Sequence, residues 1–323
     1  MLVTGASGFI GGHIARELRP MAAVGTSRCT PPPDPSIEWV GPLDLADARA
    51  LSRAFEGVEV VVHAAGRAHV LRESASDPLA MFRAANVTTT KAVADAAAAA
   101  GVRRMILLSS LAVYGEETTS LLTATTPRRP TTAYGISRKE AEDVALEVAG
   151  ASALEVVLLR LPMVYGEGMK GNPLRLFDLI HSGRPVPLGA IRNERSTLYV
   201  GNAVFAVRRL LDAQVPSGSI FLPADPDTVS TPMFVREIAS AMGIAGRVWT
   251  IPLWMLRTIA ATGSAVVGER FPLSSDALAR LSGSLVVDSA PLAVAIGAEP
   301  PFTRLAALRA TAAWYRASHR VRQ

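Results

Sequence analysis

Short apolar runs alternate with amphipathic stretches over the first half of the chain. The runs are continuously apolar, as buried parallel strands are, and the stretches between them place apolar residues at the helical period. This pattern predicts strands at 1–3, 21–28, 37–40, 58–66, 104–110 and 154–162, and helices at 12–19, 46–55, 78–100 and from 134 to about 149. Strands that alternate with helices through short connections predict an α/β fold with a doubly wound parallel sheet.

The pattern changes after Gly166, where glycine and proline become frequent. Apolar runs at 185–188, 197–200 and 219–223 predict short, isolated strands, and helices are expected to begin near 202, 232 and 300. We therefore predict a main region over 1–165 and a smaller, mixed lobe over 166–323. No repeat or low-complexity linker separates them, so the two are expected to interleave as one folding unit.

Three glycines lie between the first predicted strand and the first predicted helix, in the sequence TGASGFIGG. Gly5 permits a sharp turn, Gly8 lets backbone N–H groups approach a pyrophosphate, and Gly11 lets the helix pack against the strand. The positive end of the helix dipole then faces the phosphates. The turn predicts a dinucleotide-binding domain over 1–165, and an ordinary strand-to-helix turn is the alternative.

Further dinucleotide contacts are expected where the other parallel strands end. The turn after the third strand brings Asp44 and Leu45 near the adenine, and the small residues that end the fourth strand leave room for the cofactor. The contacts predicted from these strand ends and from the glycine turn are Gly5, Gly8, Phe9, Ile10, Gly11, Arg28, Asp44, Leu45, Ala64, Ala65 and Gly66.

The end of the second strand carries Ser27 and Arg28, where an NAD-binding fold places an acidic residue for the ribose hydroxyls. An arginine at this position accommodates a 2′-phosphate, so Arg28 favours NADP(H). NAD stays open, because a solvated arginine beside a loop is common.

Composition narrows the functional classes. Hydrophobic residues make up 49% and charged residues 19%, as in a folded globular protein. The net charge of +5 comes from scattered arginines without a basic stripe, which indicates a small anionic ligand and no nucleic acid. The single cysteine, Cys29, cannot form an internal disulfide and fits a reducing compartment, so a cytoplasmic location is expected.

Neither a membrane span nor a metal site is expected. The apolar stretch at 251–268 is too short for a span and contains Arg257, so it predicts an amphipathic helix, and no signal peptide is expected ahead of the first strand. His63 and His69 have no cysteine or carboxylate cluster in ligand spacing, and no metal site is predicted.

Two polar residues at strand ends could carry a reaction. Ser110 ends the fifth strand, and Tyr134 opens the helix that follows it. Taken singly each has an ordinary explanation, because a serine at a strand end often caps a turn and a helical tyrosine usually packs its ring.

Together with the glycine turn, these residues resemble the extended short-chain dehydrogenase/reductase family, in its NAD-dependent nucleotide-sugar epimerase/dehydratase branch. The resemblance runs from Leu2 to about Asp288. Its matching pieces are TGASGFIGG, HAAG at 63–66, Asn86, SSLAVYG at 109–115, YGIS from Tyr134, LRLPMVYGEG at 159–168 and RSTLYVGN at 195–202.

The resemblance implies roles for the two candidates. Tyr134 would exchange a proton with a sugar hydroxyl or ketone, and Ser110 would hydrogen-bond the same oxygen, while the nicotinamide of NAD(P)(H) takes or gives the hydride. Pro162, in the matched segment after the sixth strand, is implied as a further cofactor contact.

The chain departs from the family at two places. The family has a lysine four residues after the tyrosine, where this chain has Arg138, and Lys139 lies one position too late on the helix. Arg138 can supply a positive charge to a phenolate and donate to the nicotinamide ribose, so Tyr134 and Arg138 are also expected to contact the cofactor, but Arg138 cannot lose a proton. Family members that dehydrate sugars carry an Asp-Glu pair after the strand-end residue, and Leu111 and Ala112 stand there instead. A 4,6-dehydratase is therefore not expected.

The resemblance also implies a UDP-sugar substrate. Asn172, Arg195 and Arg280 match positions at which family members contact a nucleotide diphosphate, and arginine suits a pyrophosphate. The segment PLGAIRNERS resembles bacterial UDP-sugar 4-epimerases and 4-keto-sugar reductases of surface-polysaccharide pathways, without deciding between them. Two alternatives stay open: a reductase or dehydrogenase of a hydrophobic alcohol, and a catalytically silent NAD(P)-binding protein. A homodimer through the helices at 78–100 and after Tyr134 is expected by analogy.

Overall fold

A seven-stranded parallel sheet forms the centre of the protein, with the strand order β3-β2-β1-β4-β5-β6-β9. The computed structural model describes residues 1–21, 23–27, 36–68, 77–267 and 275–320. The sheet strands are β1 (Leu2–Thr4), β2 (Val24–Ser27), β3 (Glu38–Pro42), β4 (Val60–His63), β5 (Arg104–Ser110), β6 (Glu155–Leu161) and β9 (Ile220–Phe221). The chain crosses from β3 at one edge to β4 beyond β1, so the sheet has a switch point between β1 and β4.

Helices cover both faces of the sheet, which confirms the doubly wound parallel fold. The helices that precede residue 160 are α1 (Phe9–Glu17), α2 (Ala48–Ala54), α3 (Pro78–Phe82), α4 (Thr89–Ala99) and α5 (Ala133–Gly150). A π-helical stretch at Arg83–Thr88 joins α3 to α4, so the helix expected at 78–100 has a widened middle. Asp77, Thr132 and other polar residues cap these helices with side-chain oxygens.

The second half of the chain contributes two further strands and seven helices to the described structure. The strands β7 (Met163–Tyr165) and β8 (Thr197–Tyr199) pair in parallel as a separate ribbon. The helices are α6 (Asn172–His181), α7 (Val200–Leu210), α8 (Thr231–Met242), α9 (Leu253–Val267), α10 (Ser275–Ser282), α11 (Ala290–Ile296) and α12 (Arg304–Arg320).

The two halves of the chain share one core. Val204 and Leu210 of α7 pack with Ile14 and Leu18 on one face of the main sheet. The run at 219–223, expected within the second lobe, instead contains β9, which pairs with β6 in the main sheet. The run at 185–188 forms no strand, because only Val186 pairs there, by an isolated bridge to Val248.

A second apolar core lies in the C-terminal lobe and gathers residues from α6, α8, α9 and α12. Phe177, Ile238, Leu256 and Leu308 are each at most 1% exposed in it. Among the helices that the structure describes, none has the length and hydropathy that a membrane span requires.

Candidate active site

The glycine turn after β1 leaves no room for side chains. Gly5 has a φ of +72°, and a Cβ there would lie 2.7 Å from Cα of Ala65. A Cβ on Gly11 would overlap the carbonyl oxygen of Gly5, so the first turn of α1 lies directly on the strand end. Gly8 caps α1 without any side-chain hydrogen bond, which leaves first-turn amides such as those of Phe9 and Ile10 without a side-chain acceptor.

The opposite side of the switch point is the end of β4. Thr4 pairs with His63 across the two strands, and Thr4 Oγ1 lies 2.7 Å from His63 Nδ1. His63 Nε2 lies 3.1 Å from Thr90 Oγ1, and burial lowers the pKa of His63 to about 3. His63 is therefore a neutral structural residue that holds β4 between β1 and α4. The segment Ala64–Gly66 follows at the edge of the crevice.

Asn86 connects this edge to the helix that carries Tyr134. Its side chain is buried, accepts a hydrogen bond from the amide of Arg67 at 2.7 Å, and donates to Ser137 Oγ at 2.9 Å. Ser137 Oγ in turn donates to the carbonyl oxygen of Tyr134 at 2.8 Å. Asn86, one of the residues in the family resemblance, thus joins the turn after β4 to the start of α5 through hydrogen bonds.

Tyr134 and Ser110 lie on adjoining segments at the carboxyl edge of the sheet. Ser110 ends β5, is half-buried, and its Oγ accepts a hydrogen bond from the amide of Ala112 at 3.2 Å. A Cβ on Gly135 would overlap the carbonyl oxygen of Ala112, so the residue after Tyr134 packs directly on the turn that follows Ser110. Tyr134 is itself half-buried, and its ring lies 5.8 Å from that of Phe82.

Arg138 lies one helical turn after Tyr134, with its guanidinium carbon 5.4 Å from the centre of the tyrosine ring. The side chain is 6% exposed, and Nη1 donates to the carbonyl oxygen of Leu108 at 3.3 Å. Lys139 points elsewhere and pairs with Asp143 at 2.9 Å. Arg138 therefore occupies the place beside the tyrosine, and Lys139 does not substitute for the absent lysine.

These features fit a dinucleotide. Nε of Arg138 is buried and has no hydrogen-bond partner within the described part of the chain, so it leaves a donor for a bound molecule. The glycine turn offers a backbone surface to phosphates, at the switch point where α/β sheets bind nucleotides.

Three further predicted cofactor residues lie at the same sheet edge. Asp44 follows β3, is exposed, and accepts a hydrogen bond from the amide of Ala46 at 3.0 Å, while Leu45 is buried in the core. Pro162 follows Leu161, the residue that pairs with Ser110 across β5 and β6. Arg28 lies outside the residues that the structure describes.

The structure brings two of the predicted substrate residues, Arg195 and Arg280, together and does not join Asn172 to them. Nη1 of Arg195 donates to the carbonyl oxygens of Arg280 and Gly283 at 2.7 and 2.8 Å, so the structure brings Arg195 next to α10. Burial lowers the pKa of Arg195. Nε of Arg280 pairs with Glu116 at 2.8 Å. Asn172 is exposed at the start of α6, and no hydrogen bond between described residues joins it to either arginine.

A buried charge cluster lies directly behind Ser110, and the sequence analysis missed it. Glu142 and Arg160 are at most 1% exposed and pair at 2.7 Å. Ser109 Oγ donates to Glu142 at 2.5 Å, and Arg128 approaches the same carboxylate at 3.2 Å. Two signals could have found the cluster: the spacing of Tyr134, Arg138 and Glu142 on one helix face, and one arginine inside an apolar strand.

A second buried carboxylate joins β7, β8 and α7. Asp225 accepts hydrogen bonds from the amide of Tyr199 at 2.9 Å, from Asn202 Nδ2 at 2.7 Å and from the hydroxyl of Tyr165 at 3.1 Å. All of these donors are neutral, and burial raises the pKa of Asp225. Among the described residues, no group of three or more histidine, cysteine or acidic side chains is arranged to hold a metal ion.

A parallel sheet with a bare glycine turn at its switch point, and a tyrosine and a serine at the carboxyl edge of the same sheet, are features of the extended short-chain dehydrogenase/reductase class. The sequence comparisons place the chain within this class. It belongs to the NAD-dependent epimerase/dehydratase family, whose model matches residues 1–222, and it is an NAD-dependent enzyme. That description gives no support to the expected preference for NADP(H).

Three relatives illustrate the similarity. A UDP-glucose 4-epimerase from Vibrio cholerae is 31% identical over 319 residues, which cover 97% of this chain and 94% of that protein. An N-acetyl-alpha-D-glucosaminyl-diphospho-ditrans,octacis-undecaprenol 4-epimerase from Escherichia coli O157:H7 is 26% identical over 75% of this chain and 72% of that protein. The solved UDP-glucuronic acid 4-epimerase from Bacillus cereus, in complex with UDP-glucuronic acid and NAD, shares the fold with a TM-score of 0.77, at 16% identity over 98% of this chain and 99% of that one.

Proposed function

We propose that the protein is an NAD-dependent 4-epimerase of a UDP-hexose. The observation that carries this proposal is the position of Tyr134, which is half-buried beside the Ser110 turn and one helical turn from the buried charge of Arg138. The similarity to the Vibrio cholerae enzyme extends over nearly the whole of both chains and supports the same reaction and substrate class.

The mechanism assigns one task to each side chain. Tyr134 accepts the proton of the sugar 4-hydroxyl and later returns it, and the cation of Arg138 stabilises the phenolate between these steps. Ser110 donates a hydrogen bond to the same oxygen. The glycine turn at Gly5, Gly8 and Gly11 would hold NAD, which would supply the hydride chemistry at C4. Leu111 and Ala112 follow Ser110 without an acid or base, so elimination of water is not part of the proposal.

The diphosphate is proposed to lie along the C-terminal lobe near Arg195, Arg280 and Asn172. Nη1 of Arg195 donates hydrogen bonds to two carbonyl oxygens. These bonds hold the guanidinium in a fixed plane and leave its other N–H groups for an anion. We expect Arg195→Ala to raise KM for a UDP-sugar strongly. An enzyme of a hydrophobic alcohol would be indifferent to the change.

A 4-keto-sugar reductase is the second candidate, because Tyr134 and Ser110 can equally serve a ketone. One experiment separates the possibilities. The purified protein, with whatever dinucleotide copurifies, is incubated with UDP-glucose and UDP-N-acetylglucosamine without added cofactor. Formation of the 4-epimers without net redox change supports the epimerase. Oxidation of added NAD(P)H only with a 4-keto-6-deoxy UDP-sugar identifies the reductase. Dinucleotide binding without either reaction identifies a silent binding protein.

We further propose that the enzyme acts in cytoplasmic synthesis of bacterial surface-polysaccharide sugars, as the likeness to the undecaprenol-linked-sugar epimerase suggests.

A homodimer through the helices at 78–99 and α5 is also proposed. Ion pairs such as Arg83 to Glu140, at 2.6 Å, hold these helices together. Light scattering tests the dimer, and a monomer would refute it.

A further inference from the structure

One exposed face of α9 carries three large apolar side chains, with Thr258 and Thr262 between them. Leu256 and Ala260 are buried on the inner face and join the C-terminal core. Trp254, Met255 and Ile259 are 69%, 40% and 45% exposed. At 100° per residue these three side chains cover about 140° of the outer surface of the helix. A helix with this exposed face presents apolar area that the described fold does not bury.

Trp249 extends this apolar face. It is 59% exposed, and its amide donates to the carbonyl oxygen of Val186 at 2.9 Å, just before α9 begins. Two of the four tryptophans of the chain are therefore exposed on neighbouring segments. Trp249, Trp254, Met255 and Ile259 form what we term the α9 surface.

The two chain segments that carry and flank the α9 surface contain charged residues of one sign only. The segments 179–193 and 238–267 are joined by the bridge between Val186 and Val248, and neither contains aspartate or glutamate. Together they contain four exposed arginines: Arg184, Arg192, Arg247 and Arg257.

None of these four arginines forms an ion pair with another described residue. Some arginines elsewhere on the described surface pair, as Arg280 does with Glu116, and others, such as Arg175 and Arg309, form no ion pair with a described residue. The four arginines near α9 differ in lying on two segments without an acidic residue, and in this they complement an anionic partner.

We propose that the α9 surface docks the enzyme on an anionic lipid bilayer. Tryptophan prefers the boundary between acyl chains and headgroups, and a helix with an apolar face and flanking arginines lies in the plane of that boundary. Arginines on the same side attract anionic headgroups. A second copy of the chain fits less well, because a twofold interface would bring the same unpaired arginines towards each other. The proposal does not depend on the catalytic activity.

The test is flotation of the whole protein with vesicles of one-third phosphatidylglycerol in phosphatidylcholine, compared with pure phosphatidylcholine. We expect binding to the anionic vesicles, a blue shift of tryptophan emission, and about tenfold weaker binding at about 0.5 M NaCl or on the neutral vesicles. Failure to bind the anionic vesicles, or equal binding to both, overturns the proposal.

Variants locate the contact. Trp254→Ser with Ile259→Ser is expected to weaken binding at least about tenfold, and so is Arg247→Glu with Arg257→Glu. Val294→Ser, at a residue that is 83% exposed on α11, is the matched control and is expected to bind as the unchanged protein does. Unchanged thermal melting and an unchanged circular dichroism spectrum show that each variant folds. If the tryptophan variant instead converts a dimer to a monomer in light scattering, the surface is an interface between copies and the proposal is wrong.

Discussion

At the scale of single residues, the arginine that follows Tyr134 by four positions is the sharpest test of the mechanism. Its guanidinium carbon lies 5.4 Å from the tyrosine ring centre and is buried. A cation beside the ring stabilises the negative charge that develops on the phenol oxygen when its proton moves. We expect Arg138→Met to lower kcat about a hundredfold.

Arg138→Lys is the matched control, because lysine restores the cation and the usual residue of the family. We expect it to keep kcat within about tenfold of the unchanged enzyme. Steady-state rates between pH 6 and 10 measure both variants. Equal rates for the methionine and lysine variants would mean that the charge has no part in the reaction.

Gly66 offers a second residue-scale prediction. Its φ is +151°, and a Cβ there would lie 2.6 Å from Nη2 of Arg138 and 2.9 Å from Oδ1 of Asn86. Gly66→Ala should therefore displace Arg138 and lower kcat at least about tenfold. Gly57→Ala is the control, because Gly57 has a φ of +71° with no atom within 4 Å, so only backbone strain of about 1 kcal/mol is expected and activity should persist. Activity assays and thermal melts of the two variants distinguish displacement from strain.

At the scale of elements, the pair Glu142 and Arg160 joins α5 to β6 behind the catalytic edge, with Ser109 of β5 as a third partner. Removing one charge leaves the other buried without compensation, so Glu142→Leu should lower the free energy of unfolding by about 3 kcal/mol. The double variant Glu142→Leu with Arg160→Met should recover most of that loss. Denaturant unfolding of Glu142→Leu, Arg160→Met and the double variant measures the cycle, and simple additivity of the two single changes would argue against a coupled pair.

Hydrophobic period and glycine spacing predicted the elements well because both act over a few neighbouring residues. The strand at 104–110 and the turn around Gly5 appear as expected. The buried charges were missed because their partners are distant along the chain, as with Arg160, which lies 18 positions from Glu142. The sequence also does not show where a side chain points. Arg195 was expected at a diphosphate, and part of its guanidinium donates to carbonyl oxygens of residues that lie 85 and 88 positions further along the chain.

At the scale of the whole molecule, the two lobes are joined through shared elements and not by a linker. β9 and α7 come from the second half of the chain; β9 pairs in the main sheet, and α7 packs on one face of that sheet. Asp225 ties α7, through Asn202, to Tyr165 of β7 and Tyr199 of β8. We infer that the lobes unfold together. Separating them would break the main sheet and leave the buried carboxylate of Asp225 without its hydrogen-bond donors.

The pH dependence of this joint unfolding follows from His63, which is fully buried with a pKa of about 3. In the unfolded chain a histidine has a pKa near 6.5, so below that pH the unfolded state binds a proton that the folded state excludes. The free energy of unfolding should therefore fall by about 1.4 kcal/mol per pH unit below about 6.5, or about 2 kcal/mol by about pH 5. The raised pKa of Asp225 acts in the opposite sense, because there the folded state binds the extra proton.

The contribution of His63 is isolated by comparison with His63→Asn, which offers a hydrogen-bond donor and an acceptor without a charge. Denaturant unfolding of both proteins from pH 7 to 5 should give a steeper loss in the unchanged protein, and parallel curves would show that His63 takes up its proton in the folded state as well.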